Sequence, residues 1–143
     1  MKRIIFITLS LALSCSVFAD DRPVTYAQLP AAAQAFITAN FPDDKISYAT
    51  KDDDIIFPEY SVVLVNGVRM QFCNSGALEK IESRIDGVPE NLVPVQILDY
   101  VKAHYPESMI VEYETGRRHH EVKLSNRLEL KFNRNFTLIG IDD

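Results

Sequence analysis

An internal repeat constrains the fold of this chain more than any other feature of its sequence. The segment 29–42, LPAAAQAFITANFP, matches the segment 93–106, VPVQILDYVKAHYP, at a constant offset of 64 residues. Further on the offset becomes 60, and identical pairs are Val62/Val122, Leu64/Leu124, Asn66/Asn126, Phe72/Phe132, Leu78/Leu138 and Ile81/Ile141. The repeat predicts two units, 22–84 and 85–143. Each has about 60 residues, near the lower limit for an independent core, so we expect the units to pack together as one compact body.

Each unit begins with a segment of helical periodicity. In the first unit Thr25-x-x-Gln28 has the form of a capping box, Pro30 suits the first helical turn, and Pro42 ends the segment. In the second unit Pro106 ends the equivalent segment. The residues that recur at helical spacing, and that we predict to be core, are Leu29, Ala33, Phe36, Ile37 and Phe41, then Val93, Ile97, Tyr100, Val101 and Tyr105.

Four β-rich runs follow each helical segment. They cover 46–51, 60–65, 68–72 and 78–83 in the first unit, and 109–114, 119–125, 128–132 and 137–142 in the second. The predicted fold class is therefore α+β. It is a tandem repeat of two units, each with an N-terminal helical segment packed on a four-stranded antiparallel sheet.

One hairpin in each unit has a predictable loop. Apolar residues before and after the turn share a face only if the loop has an odd number of residues. This selects a three-residue loop, Val65-Asn66-Gly67, with Gly67 in the left-handed region. In the second unit Arg127 replaces that glycine, which predicts local strain or a shifted turn. The residues placed on the core face are Val62, Leu64, Val68, Met70 and Phe72, and Val122, Leu124, Leu128, Leu130 and Phe132.

The opposite face of these strands carries polar and charged residues: Ser61, Val63, Arg69 and Gln71, then Glu121, Lys123, Glu129 and Lys131. Alternating charges of this kind commonly form only solvated cross-strand pairs. The functional alternative is a broad surface for another protein, flanked by Tyr48, Phe57, Tyr60 and Tyr113, since aromatic residues are enriched in binding hot spots.

The N-terminus has the form of a secretory signal peptide. Residues 1–19 combine Lys2-Arg3, an apolar run and small residues before Asp20. We expect cleavage after Ala19; the alternative is a degenerate lipobox that ends in Cys15, which would be acylated. The apolar run is too short for a bilayer span of about 20 residues, so no transmembrane segment is expected.

Charge and motifs argue against several classes of function. The formal net charge is −5 and no basic stretch exceeds Arg117-Arg118, so a nucleic-acid partner is not expected. Only Cys73 lies outside the predicted signal peptide. It could act as a nucleophile with His104, His119 or His120 as base, but it lacks the local signature of a cysteine enzyme. A half-buried structural thiol is the preferred interpretation.

Metal binding has weak support in the sequence. Asp52, Asp53 and Asp54 offer the oxygen ligands that Ca²⁺ prefers, but the spacing of an EF-hand loop is missing. His119 and His120 are adjacent on a predicted strand, so their rings should point to opposite faces and not share one ion. No cofactor motif occurs in the sequence, and no cofactor or metal is predicted.

The residues also carry a family resemblance. The helical segment ending in Phe-Pro or Tyr-Pro, followed by the run from Glu59 to Gly67 and its counterpart from Glu121, resembles the PepSY-like family of secreted proteins, best represented in Bacteroidetes. The resemblance covers nearly all of the chain after the signal peptide. It implies two helix-and-sheet units like those of the β-lactamase inhibitor protein, and a protein-binding or inhibitory role. It supplies no catalytic motif.

Together these observations predict a non-enzymatic protein, periplasmic or secreted, that binds an extracytoplasmic protein through its open sheet face and possesses no cofactor. The predicted partner-binding residues are Tyr48, Tyr60, Val63, Arg69, Gln71, Tyr113, Glu121, Lys123, Glu129 and Lys131. The alternative is an extracytoplasmic sensor or ligand-binding module that responds to calcium through Asp52, Asp53 and Asp54.

Overall fold

The computed structural model describes residues 21–54 and 56–143. The predicted signal peptide and the alternative lipid anchor at Cys15 lie outside the described residues. The elements of the first unit are β1 (Asp21–Pro23), a 3₁₀ turn (Tyr26–Gln28), α1 (Ala31–Asn40), β2 (Ile46–Asp52), β3 (Glu59–Leu64), β4 (Arg69–Cys73) and β5 (Leu78–Glu82). Those of the second are a 3₁₀ turn (Glu90–Leu92), α2 (Val95–His104), β6 (Ile110–Thr115), β7 (His119–Leu124), β8 (Glu129–Asn133) and β9 (Leu138–Asp142).

The strands form one continuous sheet. All nine are antiparallel to their neighbours and follow chain order from β1 to β9. The units join where β5 pairs with β6, with Ile81 opposite Tyr113. The α+β class is thus confirmed. A four-stranded sheet for each unit is not, because the strands of both units join one nine-stranded sheet. The sheet continues across the units because the outer edge of β5 has unpaired backbone groups that β6 satisfies.

The strand β1 was not predicted. It pairs with β2, with Arg22 opposite Lys51 and Pro23 opposite Thr50. Its three residues contain two charges and a proline, which are poor strand formers. This segment is a strand only because it pairs with the free edge of β2. No local pattern in the sequence predicts it.

The helices begin slightly later than predicted. The backbone N–H of Thr25 donates to Oε1 of Gln28 at 2.8 Å, as in a capping box. This box lies on the 3₁₀ turn and not on α1, for which Pro30 is the N-cap. The predicted ends are confirmed, since α1 stops before Phe41 and Pro42.

A single core lies between the sheet and the two helices. Edge-to-face contacts join helix and sheet in each unit, with 5.7 Å between the rings of Phe36 and Phe72 and 5.4 Å between those of Tyr100 and Phe132. The predicted core face is confirmed in both units, with Leu128 only partly buried. Among the largest fully buried side chains are Phe72, Phe132, Leu64, Met70, Ile81, Ile97, Leu124 and Leu130. Residues of both units belong to this one cluster.

The predicted three-residue hairpin loop is confirmed. Gly67 has φ +91°, and the N–H of Leu64 donates to the carbonyl of Val68 at 2.9 Å. In the second unit Arg127 takes the same left-handed position, with φ +76°. The loop is therefore not shifted, and the predicted strain is present, because a side chain in this region costs an L-residue roughly 1–2 kcal/mol.

Candidate functional site

One side of the sheet, which we call the open face, is not covered by α1 or α2. Its residues form two rows that cross the sheet from strand to strand, because directly opposed residues point to the same side. The first row is Thr50, Ser61, Gln71, Lys80, Glu114, Glu121 and Lys131. The second row is Tyr48, Val63, Arg69, Glu82, Glu112, Lys123, Glu129 and Asp142.

Most residues predicted for this surface lie on it. The residues predicted on β3, β4, β7 and β8 all lie on the open face, divided between the two rows. Tyr48 joins them from β2, opposite Val63, with a relative exposure of 51%. The sheet therefore brings predicted residues from both units onto one surface.

Two predicted aromatic residues do not lie on the open face. Tyr60 and Tyr113 are only 8% and 6% exposed and belong to the core cluster. The prediction for them was wrong, because Tyr60 alternates in phase with Val62, and Tyr113 stands opposite Ile81 and Val122. Phe57, also expected at the margin, is exposed in the loop between β2 and β3, 5.8 Å from the guanidinium of Arg117.

The two halves of the open face differ in charge pairing. In the second unit Glu121 Oε1 lies 3.0 Å from Lys131 Nζ and 2.9 Å from His119 Nε2. The contact between Lys123 and Glu129 is looser, at 3.8 Å. In the second unit, the alternating charges therefore form cross-strand ion pairs, as in the simpler of the two interpretations of the sequence.

The half from the first unit is nearly neutral. Ser61, Val63 and Gln71 carry no charge, and Arg69 takes part in none of the ion pairs between described residues. An aromatic ring, a β-branched side chain and an arginine stand side by side here as Tyr48, Val63 and Arg69. Tyrosine and arginine are among the residue types that are enriched at protein interfaces.

Sequence reasoning missed the centre of the open face, where the units meet. Lys80 Nζ lies 2.8 Å from Glu112 and 3.7 Å from Glu114, so this lysine bridges the two units. Partial burial acts to lower the pKa of Lys80, but its hydrogen bond to Glu112 outweighs this and the pKa is raised. In the sequence, Lys80 and Glu82 alternate with the apolar Ile81, and this pattern places both charged residues on the face opposite the core.

The pKa values of two neighbouring carboxylates on this face, Glu121 and Glu129, are shifted in opposite directions. Partial burial acts to raise the pKa of Glu121, but the hydrogen bond and charge of Lys131 prevail and the pKa is lowered. Burial raises the pKa of Glu129, and the adjacent Glu121 raises it further.

A shallow groove runs along one margin of the open face. A depression of about 520 Å³ is lined by Glu82, Arg84, Glu112, Lys123, Arg127 and Glu129, among others. A second depression, of about 450 Å³, adjoins it and shares Glu82 and Arg84. The groove thus spans both units and gives the face relief that a partner can fit.

The arrangement of Cys73 does not favour catalysis. Its Sγ and Ser75 Oγ are hydrogen-bonded at 2.9 Å, and this bond lowers the pKa of Cys73. The histidines lie elsewhere: His104 stacks on Tyr100, His119 pairs with Glu121, and His120 is hydrogen-bonded to Tyr113. His119 and His120 face opposite sides of the sheet, as predicted. Each of the three histidines thus contacts a partner other than Cys73.

The three consecutive aspartates do not converge. Asp52 Oδ1 accepts from the N–H of Asp54 at 3.1 Å, and Asp54 Oδ1 accepts from the N–H of Ile56 at 3.0 Å. Asp53 pairs with Arg22 at 3.3 Å and with Lys51 at 3.5 Å. Across residues 21–54 and 56–143, no group of three or more His, Cys, Asp or Glu side chains is arranged to hold a metal ion.

The fold and its open face define a class of small two-unit proteins with helices on one side of a long antiparallel sheet. The model of the PepSY-like family, described as "putative beta-lactamase-inhibitor-like, PepSY-like", matches residues 17–57 and 58–140. The chain belongs to this family. No curated protein matches it.

Several solved structures from Bacteroides share the fold. A "putative calcium-regulated periplasmic protein" from Bacteroides thetaiotaomicron is 37% identical, with a TM-score of 0.83, and the match covers 87% of this chain and 98% of the other. A "putative periplasmic protein" of the DUF2874 family from Bacteroides vulgatus ATCC 8482 is 36% identical, with a TM-score of 0.82 and the same coverage. A third, of unknown function and also from Bacteroides vulgatus ATCC 8482, is 28% identical, with a TM-score of 0.82, and covers 86% and 99%.

These relatives bear on where the protein resides. All three are described as periplasmic, and the predicted localisation, periplasmic or secreted, is confirmed. No helix in the described part of the chain has the length and apolar character needed to cross a membrane.

Proposed function

We propose that this protein is a non-enzymatic binding module that docks an extracytoplasmic protein on its open face and, as a member of a β-lactamase-inhibitor-like family, inhibits an extracytoplasmic enzyme. The observation that carries the proposal is the nine-stranded sheet, whose open face neither α1 nor α2 covers, together with a groove that spans both units. Such a surface offers area and relief to a docked protein.

The contacts on the face indicate which residues contribute most. Lys123 and Lys131 are already paired within the chain, so a partner gains little new charge contact from them. Tyr48 and Arg69 belong to the residue types that dominate binding hot spots. We therefore place the energetic centre of the interface on the first unit, around Tyr48, Val63 and Arg69.

The experiment is affinity capture of extracytoplasmic proteins from the native host with the protein as bait. The double substitution Tyr48→Ala and Arg69→Ala is expected to weaken retention of the partner at least about 30-fold, since truncating a hot spot costs roughly 2 kcal/mol or more. Thermal stability should change little, because substitutions at exposed sites usually stay within about 0.5 kcal/mol.

The matched control removes one apolar and one basic side chain from α2, on the other side of the molecule. Val95→Ala with Lys102→Ala should leave retention unchanged. A partner that is retained equally by the Tyr48 and Arg69 variant places the interface elsewhere. A captured enzyme that keeps its full activity with the protein bound would support binding and overturn inhibition.

Calcium response is the second candidate function, favoured by the similarity to a protein described as calcium-regulated. We assign it to Asp52, Asp53 and Asp54. Calcium would have to replace the backbone and ion-pair contacts that these carboxylates now make. A site of millimolar affinity is therefore the expectation.

The melting temperature tests this candidate. At a calcium concentration about ten times such a dissociation constant, linkage stabilises the folded state by roughly 1.4 kcal/mol, which raises the melting temperature by a few degrees. The shift should vanish when all three aspartates are replaced by Asn, and Mg²⁺ should not reproduce it. An unchanged melting curve in calcium removes the role.

A further inference from the structure

The last strand of the sheet, β9, is paired in the same way as β5, and the outer edge of β5 accepts another strand. The pairing of β9 with β8 repeats that of β5 with β4 residue for residue at an offset of 60, including the bulge. Leu138 takes the place of Leu78, Gly140 that of Lys80, and Ile141 that of Ile81. In the first unit the outer edge of β5 is occupied by the antiparallel strand β6.

The equivalent edge of β9 is open. None of the strands formed by residues 21–54 and 56–143 pairs with it. Burial shows the effect, because Ile81 is completely buried whereas Ile141 remains 48% exposed and its neighbour Ile139 56% exposed. Two exposed isoleucines on an unpaired edge form a template for another strand.

The opposite edge of the sheet is protected. There β1 has three residues, two of them charged and the third a proline, which cannot donate to a ladder. The strand β9 contains neither proline nor lysine. A glycine in a strand often marks the close approach of a second backbone, and Gly140 stands in the middle of β9.

We propose that β9 is a dimerisation edge, where two copies of this protein pair their β9 strands antiparallel about a two-fold axis. The occupant is a second copy because the edge is self-complementary: in an antiparallel pair centred on Ile141, this exposed side chain faces the same residue of the other copy. Pairing of β9 with β1 of another copy would be head to tail and open-ended, and Pro23 on β1 opposes it. A two-fold β9 pair closes and buries Ile139 and Ile141.

Sedimentation equilibrium on the full chain tests the proposal. A five-residue edge is small, so we expect a dimer with a dissociation constant in the micromolar range. Ile141→Lys, and independently Ile139→Lys, should raise that constant at least about tenfold, because an edge lysine opposes pairing. Ile56→Lys, at an exposed isoleucine in the loop between β2 and β3, should leave it unchanged.

A cross-linking experiment tests the symmetry. In a Cys73→Ser background, Ile141→Cys should yield a disulfide-linked dimer and no larger species. A protein that stays monomeric at all concentrations overturns the proposal, as does a dimer that Ile141→Lys and Ile139→Lys leave unchanged. A ladder of oligomers formed by Ile141→Cys together with Arg22→Cys would show head-to-tail pairing and overturn the two-fold arrangement. The substitutions leave the open face intact, so these outcomes are independent of the proposed function.

Discussion

Replacing Gly76 with Ala is expected to lower the free energy of unfolding by about 2–4 kcal/mol. Gly76 has φ +87°, a region that disfavours an L side chain. An added Cβ would also lie 2.9 Å from Pro30 Cβ, Ala32 Cβ and the backbone N of Ala33. These atoms belong to the start of α1, so the helix would have to move away from the loop that follows β4. Urea denaturation measures the change.

The matched control is Gly67→Ala. This glycine has a similar φ of +91°, but a Cβ there would meet only Ile85 Cδ1, at 3.9 Å. Its expected cost is about 1 kcal/mol, the backbone contribution alone. If Gly76→Ala costs no more than Gly67→Ala, the close approach of α1 does not constrain this loop. The second unit has Phe136 at the equivalent position with φ +61°, so helix and loop pack differently there.

Replacing Phe72 with Ala is expected to cost about 3–5 kcal/mol, because the ring is fully buried and its removal leaves a cavity against Phe36. The protein should still unfold in a single transition. Its core is one cluster, and the sheet is continuous through Ile81 and Tyr113. A lesion in one unit therefore destabilises both.

Native-state hydrogen exchange measures this coupling. Phe72→Ala should reduce amide protection in β7 and β8 as much as in β3 and β4. The control is Phe132→Ala in the second unit, which should likewise reduce amide protection in β3 and β4 as much as in β7 and β8. Two separate transitions, or loss of protection confined to the mutated unit, would show that 22–84 and 85–143 fold independently.

Some features of the open face followed from alternation alone. A strand has a period of two, so once Val62 and Phe72 were assigned to the core, Val63 and Gln71 had to face the other way. The same period should have excluded Tyr60, which is in phase with Val62. For Tyr60, strand parity was a better guide than the enrichment of aromatic residues in binding sites. The burial of Tyr113 could not be predicted from its own strand alone, since its environment includes Ile81 from the other unit.

The sequence alone determined the repeat, the α+β class, the two helix ends at Pro42 and Pro106, and the three-residue loop that closes at Gly67. These features are local: periodicity, proline geometry and turn parity act over a few residues and need no knowledge of distant contacts. Only the tertiary structure decided that the units share one sheet, that β1 adds a strand, and that Lys80 bridges to Glu112. Strand edges pair with whatever antiparallel backbone lies beside them, and that neighbour is set by long-range packing that a local pattern does not encode.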